Sequence, residues 1–96
     1  MSTLVFPGND LPLGYQQITS LSAAATLTVP ANATRAVIIC ESQAVRWSDF
    51  STPTASVGMP LAIGVYMLYT GGFSGLSALQ FIEQTASAKI NISYYA

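Results

Sequence analysis

The chain has no histidine, a single cysteine and a single lysine, and only 7% of its 96 residues are charged. Each shortage closes off some chemistry. Without histidine, the commonest general base and the commonest metal ligand are both missing. With Cys40 alone, neither an intrachain disulfide nor a cysteine-based metal cluster can form within one chain. An ordinary soluble domain carries roughly 25% charged residues, so most of this surface must be neutral. Three Lys/Arg against four Asp/Glu give a formal net charge of -1, which supplies no basic patch for nucleic acid and no field to steer an ionic ligand. A free monomer usually needs more charge to stay dispersed. The composition therefore suits a chain packed against copies of itself or against other chains.

The remaining polar residues do not assemble into a catalytic set. Asp10, Glu41, Asp49 and Glu83 are scattered, whereas general acid–base work needs two positioned groups with separated pKa values. Serine and threonine are plentiful, but a nucleophile needs a base and Lys89 is the only lysine. Gly71 to Gly75, G-G-F-S-G, lacks the Lys-Ser/Thr of a phosphate loop and reads as turn glycines. Cys40 sits in R-A-V-I-I-C-E and reads as a small buried hydrophobe. No catalytic, cofactor-binding or metal-ligating residue is assigned, no cofactor is expected, and the chain is not read as an enzyme.

The start, M-S-T-L-V-F-P-G-N-D, has neither a basic n-region nor a long apolar h-region, so it does not read as a secretory signal. Asn32-Ala-Thr34 and Asn91-Ile-Ser93 match the glycosylation pattern and are read as chance on that ground. No charge occurs between Asp49 and Glu83, but Pro53, Gly58, Pro60, Gly64, Gly71, Gly72 and Gly75 interrupt that stretch. A spanning helix needs about 20 mostly apolar residues, so no membrane partner is expected.

Short runs separated by turn residues give a β signal. In A-A-T-L-T-V-P, Ala25, Leu27 and Val29 alternate with Thr26 and Thr28 until Pro30 ends the run. After the P-A-N-A-T turn, Arg35 to Glu41 is a continuous apolar run of strand length, read as buried on both faces. Gln43 to Trp47 alternates, Met59 to Leu61 makes a short strand, and Gly64 separates it from V-Y-M-L-Y-T. The Gly71-Gly72 pair turns the chain. L-S-A-L-Q-F-I-E then sets Leu79 and Phe81 opposite Gln80 and Ile82, with one helical turn as the alternative. Lys89 to Tyr95 alternates cleanly, with Ile90, Ile92 and Tyr94 on one face. The pattern predicts an all-β fold: an antiparallel β-sandwich, jelly-roll-like, over 15–96. Its expected core is Leu27, Val29, Val37, Ile39, Val45, Trp47, Leu79, Phe81, Ile90 and Ile92. Residues 1–14, rich in proline and glycine, are expected to be an extended N-terminal arm.

The order L-T-V-P, R-A-V-I-I-C-E-S-Q-A-V-R-W, P-T-A-S-V-G-M-P-L, L-S-A-L-Q-F-I and I-N-I-S-Y-Y-A resembles a group of small all-β structural proteins of tailed bacteriophages and prophages. The resemblance runs from about Leu27 onward and rests on structural rather than catalytic motifs. It implies a virion protein, and the expectation drawn here is a capsid decoration (cement) protein. Its partners would be itself, as a homo-oligomer with a trimer the expected state, and the major capsid protein or another virion protein. A tail or head-to-tail protein is the first alternative. Relatives tend to carry a more charged loop after the Arg-Trp pair; S-D-F-S-T here speaks against ion binding.

The stretch Ala44 to Gly64 gathers Arg46, Trp47 and Asp49. Neighbouring strand residues point to opposite faces, so Val45 and Trp47 are expected on the core and Arg46 outside, within reach of Asp49 as a weak exposed ion pair or of a carboxylate on a neighbouring subunit. Interface candidates are Leu4, Val5, Phe6, Leu11 and Leu13 of the arm, with Arg46, Tyr66, Tyr69, Tyr94 and Tyr95. The tyrosines also raise a second alternative, a carbohydrate-binding module stacking them on sugar rings.

Overall fold

The computed structural model describes residues 11–96, which form eight strands and one short helix: β1 (Pro12–Ile18), β2 (Ala25–Thr26), β3 (Arg35–Glu41), β4 (Val45–Ser48), β5 (Met59–Leu61), β6 (Tyr66–Tyr69), α1 (Gly72–Ala78), β7 (Gln80–Glu83) and β8 (Lys89–Tyr95). The strands make two four-stranded sheets, ordered β1-β8-β3-β6 and β2-β7-β4-β5, and every pairing is antiparallel. The chain doubles back between β4 and β5. From that hairpin outward β4 pairs with β5, β3 with β6, β2 with β7 and β1 with β8. Lateral pairings of β3 with β8 and of β4 with β7 join these ribbons into sheets. The fold is all-β with a short helical insertion.

Both sheets feed one buried cluster. Ala36, Ile38, Cys40, Ile90, Ile92 and Tyr94 come from the first sheet, and Val45, Leu61 and Phe81 from the second, with Leu21, Leu27, Leu76 and Leu79 from the connections. Of the expected core, Leu27, Val45, Leu79, Phe81, Ile90 and Ile92 are buried, while Val29 and Trp47 are half-buried and pack against the cluster.

Val37 and Ile39 are corrections: they face outward, Ile39 with 37% of its surface exposed, and Ala36, Ile38 and Cys40 take the core. The reason is parity. Arg35 and Glu41 share a face with Val37 and Ile39, because strand side chains alternate with period two. Burying the two larger β-branched residues would bury both charges unless the strand slipped by one residue. The cost of a buried charge outweighs the gain of exchanging alanine and cysteine for larger apolar side chains. The run is therefore buried on one face, not both.

A second correction lies after β6. Gly71-Gly72 does not merely turn the chain but opens α1, with Gly72 at φ 76. G-F-S-G-L-S-A has poor helix propensity, yet Leu76 is completely buried and ties the turn to the core. The C-cap Leu79 donates its N–H to the carbonyls of Gly75 and Leu76. Tertiary burial of one leucine outweighs propensity here.

Residues 11–14 of the expected arm belong to the sheet. Leu11 already exchanges backbone hydrogen bonds with Ala96, at 2.8 and 2.9 Å, and β1 begins at Pro12. Proline and glycine are tolerated there because β1 is an edge strand. Pro12 is its first residue, and the register shifts between Pro12 and Gly14, so neither occupies a central ladder position. The remainder of the expected arm, 1–10, lies outside the described residues.

Candidate functional site

The outward face of the β1-β8-β3-β6 sheet changes in chemistry across its width. Over β1, β8 and β3 the polar side chains satisfy one another. Gln17 Nε2 donates to Asn91 Oδ1 at 2.9 Å and to Glu41 Oε1 at 3.2 Å, and Asn91 Nδ2 donates to Glu41 Oε1 at 2.9 Å. The Tyr15 hydroxyl also donates to Asn91 Oδ1. This network closes on itself along the three strands and gives that side a fixed polar texture.

Toward β6 the chemistry changes. Among the described residues β5 and β6 are edge strands of the two sheets, each paired on one side only, and residues 62–65 join them. Along this double edge Val57, Met59, Ile63, Val65 and Leu68 are exposed, with Phe73 of α1 and Phe50 of the β4–β5 loop, the last 97% accessible. From residue 50 to residue 82 there is no charged side chain. Exposed sheet edges are normally guarded by charge, proline or a bulge. Here only Pro60 in β5 provides such a guard, and β6, Y-M-L-Y, has none.

Behind that edge sits an aromatic cluster built on β4 and β6. Trp47 and Tyr69 pack edge-to-face, with ring centroids 6.3 Å apart at 82°, and the Tyr69 hydroxyl donates to Asp49 Oδ2 at 2.8 Å. Loss of solvent raises the Tyr69 hydroxyl pKa to about 12, helped by its hydrogen bond to the Asp49 carboxylate and by that charge. Tyr69 is thus a neutral donor at physiological pH. Two glycines make room for it: a Cβ on Gly71 would lie 2.6 Å from Tyr69 Cε2, and one on Gly75 would lie 2.7 Å from the hydroxyl. Alanine for glycine inside a helix ordinarily stabilises by about 0.5–1 kcal/mol. Gly75→Ala should reverse that sign and cost about 1–3 kcal/mol through overpacking, since Trp47 and Asp49 hold the ring from the other sides. Chemical denaturation followed by Trp47 fluorescence checks this, with the midpoint expected to fall below that of the wild type.

Arg46 and Asp49 take partners other than each other. Arg46 donates from NH1 to the Gly58 carbonyl at 2.8 Å. With the Gln84 amide oxygen turned toward it, the guanidinium also donates at 2.9 and 3.2 Å. Arg46 therefore braces the 49–58 loop across its base. Gly58, at φ 141, has Trp47 O and Pro53 Cβ each 3.1 Å from where a Cβ would stand, so only glycine suits this brace.

The other interface candidates divide. Tyr66 is half-buried beside Leu68 on the outward face of β6, and Tyr95 is half-buried and accepts from Ser93 Oγ at 3.1 Å. Tyr94 is a correction to any surface role: it is 1% exposed, its hydroxyl donates to Gln16 Oε1 at 2.8 Å, and burial raises its pKa to about 12. Leu11 is exposed and Leu13 packs against the core. Leu4, Val5 and Phe6 lie outside the described residues. Cys40 is sealed in the core, its thiol donating to the carbonyls of Leu61 and Ala62, and burial raises its pKa. Among the described residues no three of His, Cys, Asp and Glu are grouped to hold a metal ion. No helix among them is long and apolar enough to cross a membrane.

Sequence reasoning did not single out Phe50, Val57, Met59, Ile63, Val65, Leu68 and Phe73. The signal is the uncharged stretch itself, which raises a membrane span when read locally and an unguarded sheet edge once β5 and β6 are paired. Neither a protein-family model, nor a curated protein, nor a solved structure matches this chain.

Proposed function

We propose that this chain is a structural protein of a bacteriophage virion, a capsid decoration (cement) protein that stabilises the head by contacts with copies of itself and with the major capsid protein. The observation that carries the reading is the uncharged double edge formed by β5 and β6. Its exposed apolar side chains and unpaired backbone groups suit burial against another chain. The resemblance of the sequence to small tailed-phage structural proteins supplies the setting.

The fold we propose is a jelly-roll-like β-sandwich. It is supported by the strand orders β1-β8-β3-β6 and β2-β7-β4-β5, the arrangement produced when one long hairpin is rolled into two facing sheets, and by the buried cluster that both sheets share. Such a module presents edges and loops to neighbours while its core stays closed.

A tail or head-to-tail position would use the same surface. The carbohydrate-binding alternative has less support, because Tyr94 is buried and Tyr69 is half-buried, packed against Trp47 and bonded to Asp49. Quantitative mass spectrometry of purified virions tests the proposal. A copy number comparable with that of the capsomers is the expected result. A number far below it favours the tail reading, and absence from the particle overturns both.

A further inference from the structure

We infer that the open edge of β6 is an acceptor for the N-terminal segment Thr3–Phe6 of a neighbouring copy, which adds antiparallel to Tyr66–Tyr69 as a fifth strand. The inference rests on the self-association proposed above and specifies how it is made.

The acceptor is defined by its chemistry. Among the described residues β6 hydrogen-bonds to β3 alone, so its other edge offers backbone groups without a strand partner there. Around it both faces are apolar. Tyr66 and Leu68 lie outward beside Ile39 and Val37, and Met67 and Tyr69 lie inward against the core. A strand added here must be uncharged, apolar on both faces and about four residues long, because Gly64 and α1 bound β6 at its two ends.

T-L-V-F meets those requirements. Leu4 and Phe6 would fall on one face and Thr3 and Val5 on the other. Pro7 has no N–H to donate and would end an added strand after four residues, and a residue before proline favours extended backbone. An antiparallel register setting Thr3 opposite Tyr69 puts Leu4 opposite Leu68, Val5 opposite Met67 and Phe6 opposite Tyr66.

Reach decides that the donor is another copy. β1 and β6 are the two opposite edges of one sheet, so the position beyond β6 lies four strand spacings, about 19 Å, from β1. Tyr66 stands level with Gln17 through Ile39 and Asn91. In the antiparallel arrangement Phe6 would therefore also sit about 17 Å along the strand axis from Leu11, which pairs with Ala96, five residues from Asn91, at about 3.3 Å per residue. Together these displacements are about 25 Å, whereas five residues fully extended reach at most about 18 Å. Parallel addition would bring Phe6 level with Gly14 and still leave about 20 Å to cross. The segment cannot close its own sheet, and a neighbouring sheet presents an identical edge.

A complementation experiment on the full chain tests this. Val5→Pro removes the donor strand and leaves the acceptor; Leu68→Lys charges the acceptor edge at an outward, part-exposed position and leaves the donor. Sedimentation velocity should show each variant dissociated, with the dissociation constant raised on the order of a hundredfold, while far-UV circular dichroism stays that of the wild type. Mixing the two should restore a one-to-one complex, since one intact donor then meets one intact acceptor. If either variant associates like the wild type, or the folded pair does not complement, the inference is overturned while the proposed function stands. A wild type that neither self-associates nor binds phage heads overturns both. Should Leu68→Lys fail to fold, Leu4→Cys chains mixed with Leu68→Cys chains and oxidised should yield an interchain disulfide dimer between the two kinds; its absence overturns the inference equally.

Discussion

Ile38→Ala should destabilise the fold by about 2–5 kcal/mol, and Ile39→Ala, one residue along the same strand, by about 1 kcal/mol or less. The side chains are chemically identical and both lie mid-strand in β3, so propensity cancels and only the face differs. Ile38 is fully buried between Met67 of β6 and Ile92 of β8, in the cluster shared by both sheets. Ile39 lies beside Tyr66 and Asn91 on the outward face. Its truncation leaves no internal cavity, whereas truncation of Ile38 does. Urea unfolding of the two variants side by side measures the difference. Equal losses would mean that the strand is buried on both faces, as its composition first suggests.

Phe81→Ala is expected to cost about 3–5 kcal/mol, which for a domain that gains only about 5–15 kcal/mol from folding leaves little. Phe81 is completely buried in β7, between Ala25 of β2 and Trp47 of β4. It is the largest fully buried side chain that the second sheet contributes to the shared cluster, so its loss leaves a void that short strands cannot collapse into. Trp47→Ala should cost less, because that ring belongs to a residue that is only half-buried. A calorimetric melting temperature for Phe81→Ala above that of Trp47→Ala would contradict this ordering.

The strands were legible in the sequence where apolar and polar residues alternate. The alternation of β8 reads correctly, with Ile90, Ile92 and Tyr94 inward and Lys89, Asn91, Ser93 and Tyr95 outward; what fails is the surface role also given to Tyr94. β4 and β7 read equally well, with Val45, Trp47 and Phe81 on the core side. β3 did not, because an unbroken apolar run carries no alternation; its face is fixed instead by the charges at its ends, Arg35 and Glu41. Parity with those two residues is enough to assign Val37 and Ile39 to the outward face. α1 was legible only as the alternative of one helical turn from Leu76 onward, for a different reason. Its glycines signal a turn, and the residue that holds it, Leu76, does so through a tertiary contact that no local pattern encodes.

The site was legible only in part. The adjacency of Arg46 and Trp47 on opposite faces was readable from strand geometry, but their partners, Gly58 and Tyr69, come from later segments brought back by the roll of the chain. Asp49 illustrates the difference. Short-range reasoning pairs it with Arg46, whereas the fold supplies a tyrosine hydroxyl 20 residues downstream. The apolar edge is written as an absence of charge, and its meaning depends on β5 and β6 each ending a sheet. In both cases what the sequence withholds is the long-range pairing.

Whether this neutral edge is covered by another copy of the chain is decided by sedimentation velocity of the wild-type protein across a dilution series from high to low micromolar. Coverage by a second copy requires a weight-average mass above that of one chain at the upper end, falling toward it on dilution. A single species with the mass of one chain at every concentration would contradict it.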